Sequence, residues 1–299
     1  MKTYEQKSIM KVACGYTIPI TKYGLPPSLE NNLKAMDEIK QAGFSAFEME
    51  LVAGNREYKE GWKKVIRKSK DLDLKIPSIM AVTNDMFSLD RKKQEQSIFD
   101  FTAICDMVSE VGAGLITNCF YLPPELTPKK KTELYHGGPP KTIRIPDGFT
   151  WSELRGVVIR QLTECADIAG KRNLDFAMEL RAGDFLCSVD GMVNIFDECA
   201  KVNMGVVFDV AHINATREYL ELAILKFGKY IKLVHLSDND GTHAYHLMPG
   251  QGNIDFAGVI NRLKSTGYSG YVVVDISGIE DILNNAIKMR LMLENLIET

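Results

Sequence analysis

Ile231-Lys232-Leu233-Val234-His235-Leu236-Ser237-Asp238-Asn239-Asp240-Gly241-Thr242-His243-Ala244-Tyr245-His246 is the stretch from which the fold can be read. An apolar strand ends in a histidine. A polar loop with two more histidines follows and runs on to Pro249-Gly250-Gln251-Gly252. Three of the chain's five histidines lie in this one stretch. An α/β barrel builds its site from ionisable side chains at the C-terminal ends of its strands. Other strands should therefore aim groups at the same point.

Outward from that strand, apolar runs alternate with amphipathic segments. Strand signals fall at 11–16, 44–52, 75–82, 115–121, 174–180, 204–211, 231–236 and 271–276. Helix signals fall between them, at 28–42, 61–72, 88–111, 151–171, 190–202, 216–227, 254–266 and 280–297, with Asp190 read as a cap. Continuous apolar strands alternating with helices predict a parallel sheet buried on both faces. Eight such units in 299 residues predict a single-domain (β/α)8 TIM barrel spanning 1–299. An open doubly wound sheet would want a glycine-rich turn after the first strand, and Gly15-Tyr16-Thr17-Ile18-Pro19 is not one. Residues 123–150, rich in proline and glycine, break the rhythm as a long loop insertion. They read as an active-site lid carrying His136, as a subunit contact, or as a tolerated surface insertion.

The last four strands share a pattern. Each apolar run carries one ionisable residue near its C-terminal end: Glu179, Asp209, His235 and Asp275, at intervals of 30, 26 and 40 residues. A lone charge at a buried strand end is costly. Neighbouring strands lie about 5 Å apart, so the four converge. Three carboxylates would repel one another, and a divalent cation resolves the conflict. Three oxygen donors and one imidazole suit Mn²⁺ first, with Mg²⁺ and Co²⁺ as alternatives. His212 follows Asp209 by three residues and is expected at the rim, on a substrate hydroxyl or carrying a proton. Arg181 either holds a substrate oxygen or neutralises the carboxylates. Glu48 either faces the mouth or forms an ion pair below it, Glu50 is the weaker candidate, and Asp238, His243 and His246 are expected to shape the substrate pocket.

The net charge of −3 gives no basic footprint for nucleic acid. No run approaches the ~20 apolar residues of a membrane span, and no leader is evident. Six scattered cysteines without a CxxC pair predict reduced thiols and a cytoplasmic home.

The texts HLSD, PGQGNIDF and GYSGYVVVDISG, with FDVAH, GFSAFEMEL and FAMEL, resemble the xylose isomerase-like barrel superfamily, which includes sugar phosphate isomerases and epimerases. The resemblance implies a metal held by Glu179, Asp209, His235 and Asp275, a sugar or keto-sugar substrate contacted by His212, and a homo-oligomer. In the epimerase branch it implies that the strand-five and strand-eight acids exchange substrate protons. Here the strand-eight acid is Asp275, one methylene shorter than the family's glutamate. The apurinic-endonuclease branch needs histidines on strands three and four, and this chain has none there. The expectation is a metal-dependent isomerase or epimerase with Glu179 as first choice of base and His212 as second. A metal-dependent lyase of the inosose dehydratase or C-glycoside deglycosidase kind, and a non-catalytic sugar-binding barrel, stay open.

Overall fold

The computed structural model describes residues 10–128 and 142–299. Eight parallel strands form one sheet: Lys11–Cys14, Met49–Val52, Ser78–Val82, Leu115–Cys119, Asp175–Glu179, Met204–Asp209, Ile231–Leu236 and Tyr271–Val274. They are called the first to eighth strands below. From the second strand to the eighth each pairs with the next, and the eighth pairs with the first. The seam between the first and second strands is closed by a short parallel bridge, Cys14 to Phe47. There the Cys14 N–H donates to the Ala46 carbonyl and the Glu48 N–H to the Cys14 carbonyl, both at 2.9 Å. The sheet is thus a barrel.

The helices pack outside, and their starts show why they form where they do. Ser28, Asn55, Asp90, Thr150, Ser188 and Asp255 each accept a backbone N–H in the first turn of the following helix, as N-caps do. Two expected starts move. Ser188, not Asp190, caps helix Val189–Cys199, and Asp190 instead pairs with Lys226 at 2.9 Å. Thr216 closes a short helix, Val210–Ala215, and the next begins at Leu220. A helix the sequence reading missed, Thr17–Tyr23, follows the first strand directly and buries Ile18 and Pro19. Its signal was masked by Pro19, which is tolerated in a first turn where no N–H partner is needed.

Within the 123–150 insertion, Thr127–Pro128 pairs antiparallel with Ile143–Arg144. The expected lid residue His136 lies outside the described residues. No described helix is long and apolar enough to cross a membrane. All six cysteines are free.

Strand alternation fixes the site. Ala13, Ala46, Leu115, Ala177, Val207, Leu233 and Val273 form a small apolar cluster apart from the main core. They are the filling of the barrel interior. Side chains two residues apart share a face. Two residues on from that layer stand Gly15, Glu48, Thr117, Glu179, Asp209, His235 and Asp275, all buried. A Cβ on Gly15 would lie 2.7 Å from the Val274 carbonyl oxygen, so the crowded layer admits no side chain there.

Candidate active site

The polar layer is the floor of a cavity of about 370 Å³ at the C-terminal end of the barrel. Glu179, Arg181, His212 and His246 line it, with Tyr16, Thr17, Glu50, Cys119 and Tyr121. Its outer walls include Ile20, Leu25, Pro26, Val52 and Val82.

His235 is the centre of the floor. Its Nδ1 lies 3.1 Å from Glu179 Oε1, 3.8 Å from Asp209 Oδ2 and 3.7 Å from Asp275 Oδ2. Its Nε2 lies 2.9 Å from Glu48 Oε2. These contacts are within ion-pair range, yet neither ring nitrogen has an aligned hydrogen bond, and neither do Asp209 Oδ2 and Glu48 Oε2. Four buried polar atoms, on two sides of the ring, lie close without satisfying one another. Ligand atoms of Glu179, Asp209 and His235 all lie within 4.8 Å of each other. Orphaned donors of this kind, hard oxygens around one imidazole, fit a divalent cation.

The proton affinities carry the same conflict. Burial pushes Asp209 up, His246 opposes, and the charges of Asp275 and Glu179 help raise it to about 7. Burial also opposes ionisation of Glu179, but the close His235 ring, with help from His212 and Arg181, outweighs it and holds the carboxyl at about 2. For His235 burial disfavours the charged ring, while Glu48 and Asp275 hold its pKa well above the ordinary histidine range. One imidazolium is shared among four acids, where a doubly charged ion would serve better.

The remaining candidates separate. Asp275 is buried beside the three, with Oδ2 toward His235, and its oxygens have further partners: Thr17 Oγ1 donates to Oδ1 at 2.8 Å, and His246 Nδ1 lies 3.0 Å from Oδ2. Of the two places expected for Glu48, substrate contact at the mouth or ion pair below it, the structure shows the second, with Oε2 2.9 Å from His235 Nε2. Glu48 is fully buried, lies beneath the cavity and accepts from Ser78 Oγ at 3.1 Å. Two residues on, Glu50 takes the lining position instead. Arg181 lines the cavity in a bidentate pair with Asp184, at 3.0 and 3.1 Å, with its guanidinium 4.8 Å above the Tyr121 ring centre. His212 Nδ1 accepts the Ala182 N–H at 3.2 Å, and burial and His246 push its pKa down to about 3.

His243, expected at the substrate, is not among the cavity-lining residues. Gly241, at φ +80°, and the Asp240 carboxylate, which accepts the Thr242 N–H, turn this loop tip away. His243 contacts Thr242 and Tyr245 there. Asp238, also expected in the pocket, ties the loop instead. Its carboxylate accepts the N–H groups of Gly250, Gly252 and Ile254 at 2.8, 2.9 and 3.2 Å. A Cβ on Gly252 would lie 2.2 Å from the Asn239 carbonyl oxygen, so this loop closure needs glycine. Cys119 was missed as a site residue: its Sγ donates to Glu179 Oε2 at 3.2 Å from the neighbouring strand.

Residues 36–294 match the family model described as xylose isomerase-like TIM barrel. The chain belongs to this family. An inosose isomerase of Bacillus velezensis is 31% identical over 124 residues, 38% of this chain and 44% of that protein. An uncharacterized protein of Methanocaldococcus jannaschii is 31% identical over 111 residues, 36% of each. The chain thus spans less than half the length of these curated relatives. Among solved structures, a D-tagatose 3-epimerase-like protein superposes with a TM-score of 0.75 at 20% identity over 97% of each chain. The IOLI protein with a bound zinc atom gives 0.71 at 17% identity, over 97% of this chain and 98% of that one. At these identities the likeness to solved structures is one of fold.

Proposed function

We propose that the protein is a divalent-metal-dependent isomerase or epimerase of a sugar or keto-sugar, working by proton abstraction next to a carbonyl. One observation carries the reading. Glu179 belongs both to the ligand cluster of the floor and to the lining of the cavity, so a substrate over the cluster meets its carboxylate. The inosose isomerase relative and the epimerase-like fold neighbour support the same chemistry.

Glu179, Asp209 and His235 would hold the cation, with Asp275 beside them; Mn²⁺ is our first choice for the oxygen-rich set. When bound, such a cation polarises a substrate carbonyl and makes the neighbouring C–H more acidic. The chain's own residues do the rest. Glu48 Oε2 faces His235 Nε2 at 2.9 Å, the place from which carboxylates commonly orient metal-binding histidines. The Cys119 thiol, whose pKa burial raises well above the ordinary value, stays protonated and steadies Glu179 Oε2. Glu179 removes the proton. His212 accepts at Nδ1, so its neutral ring carries hydrogen at Nε2 and donates to a substrate oxygen. The Glu179→Gln variant should lose turnover by about 10²–10⁴-fold or more. Interconversion of ketoses measured with Mn²⁺ present is the check, and full activity with the metal retained would sink the assignment of Glu179.

A further inference from the structure

The alternation that builds the floor also builds a ring above it. Two residues beyond Gly15, Glu48, Thr117, Glu179 and Asp275 stand Thr17, Glu50, Cys119, Arg181 and Ser277, and all of these line the cavity. Arg181 is already engaged. Asp184 holds it through Nε and Nη2, and its guanidinium lies over the Tyr121 ring. Glu50 is not engaged in this way: its Oε1 is buried and has no hydrogen-bond partner among the described residues. The wall around it is apolar. Val52 follows two residues on along the same strand, and Val82 is its partner on the third strand. Ile20, Leu25 and Pro26 lie on the same cavity. In pockets of this kind a few polar groups set among apolar ones fix the orientation of the ligand. A buried carboxyl oxygen without a partner is costly to keep, and a ligand hydroxyl would satisfy it.

The place of Glu50 round the barrel says which hydroxyl. Glu50 is on the second strand and Glu179 on the fifth, with the third and fourth between them. A sugar whose carbonyl lies at Glu179 reaches across the mouth to meet Glu50, and does so with its far end. In a ketohexose that end carries the hydroxyl of carbon 6. Charge narrows the class further. Arg181 is the one lysine or arginine among the described lining residues, and Asp184 neutralises it. His246 is paired with Asp275 at 3.0 Å. A phosphate at the far end would meet the Glu50 carboxyl and two valines, and like charges brought together in this way reject a ligand.

We propose that Glu50 sets the specificity of the site: it hydrogen-bonds the terminal hydroxyl of an unphosphorylated ketohexose whose carbonyl lies at Glu179. The proposal rests on reading the cavity as a sugar isomerase or epimerase site. A site built around a substrate hydroxyl rejects the analogue that lacks it, because the buried polar group is then left unpaired.

The test uses the full chain with Mn²⁺ in deuterated water, and proton NMR follows solvent exchange at the carbon next to the carbonyl. D-fructose, D-tagatose and D-allulose are each compared with their 6-deoxy and 6-phosphate forms. For the wild type, kcat/KM should fall by about 10–10²-fold from parent to 6-deoxy sugar, and by no less to the 6-phosphate. Glu50→Leu should lose a similar factor on the parent and little on the 6-deoxy sugar, so that the preference disappears. Glu50→Gln still bonds a hydroxyl and should keep the preference. Equal rates on parent and 6-deoxy sugar, a 6-phosphate turned over as fast as its parent, or an equal loss by Glu50→Leu on both sugars overturns the role of Glu50 and leaves the proposed function standing. The wild-type ratios stand whether or not a variant folds. If the wild type exchanges no proton of any of these sugars, the proposed function falls and the specificity with it. Titration of Glu50→Leu with Mn²⁺ is the readout independent of turnover. An unchanged affinity supports the proposal; its loss would make Glu50 a support of the metal site and overturn it.

Discussion

The floor of the cavity and the loop that follows the seventh strand both hold buried histidine, aspartate and hydrogen-bonded turns, but they are built by different physics. On the floor, every side chain is placed by strand alternation. Glu48, Glu179, Asp209, His235 and Asp275 each stand two residues beyond a member of the interior apolar layer. In the loop, no period operates. His246 reaches the cavity, and His243 fails to, because Asp238 gathers three backbone N–H groups and Gly241 turns the tip outward. A position on the floor tolerates little change of charge, whereas a position in the loop matters through the backbone it secures.

This contrast can be broken most severely at Asp238. Asp238→Ala leaves the N–H groups of Gly250, Gly252 and Ile254 without their acceptor and should cost about 4 kcal/mol, since hydrogen bonds to a charged group contribute roughly 1.5–3 kcal/mol each and do not add fully. Thermal or urea unfolding measures it, and a loss below about 1 kcal/mol would mean that the loop holds itself.

The next effect belongs to the cavity wall. Glu50 has a buried oxygen without a partner. Burial pushes its pKa up to about 7 from 4.5; Arg181 opposes this, and Glu179 and Glu48 add to it. The folded chain therefore keeps a proton that the unfolded chain releases, and stability falls as pH rises from 4.5 to 7, then levels off. Glu50→Gln should remove this dependence, gaining on the order of 3 kcal/mol at pH 8 and almost nothing at pH 4. Denaturant melts at the two pH values compare them, and parallel curves for wild type and variant would refute the assignment. The smallest effect is at the loop tip: His243→Ala should change stability by less than about 0.5 kcal/mol and leave turnover intact, as a surface substitution does. A large fall in turnover would return His243 to the substrate.

The barrel was legible because eight apolar runs at regular spacing leave few alternatives, and the strand-end residues Glu179, Asp209, His235 and Asp275 were legible because each interrupts such a run. Glu48 was readable too, though the choice between the mouth and an ion pair below it was left open. Ala46-Phe47-Glu48 has the same apolar-x-polar form as Ala177-Met178-Glu179 and Val207-Phe208-Asp209, which puts Glu48 in the buried layer and Glu50 at the mouth. The division of labour between His243 and His246 was not legible. It depends on a bridge across the loop between Asp238 and Leu247 and on the approach of the distant Ser277, which no local pattern announces. Cys119 was hidden for a similar reason: its partner Glu179 is 60 residues away.

The knot at Asp238 has a consequence for the rate at which the site can work. A loop left loose would have to be ordered around each substrate, and that conformational entropy would be subtracted from binding every time. With Asp238 holding three amides, the loop is ordered once, when the chain folds. His246 is then already in place when a ligand enters the cavity, and the free energy of binding is not spent on ordering the loop.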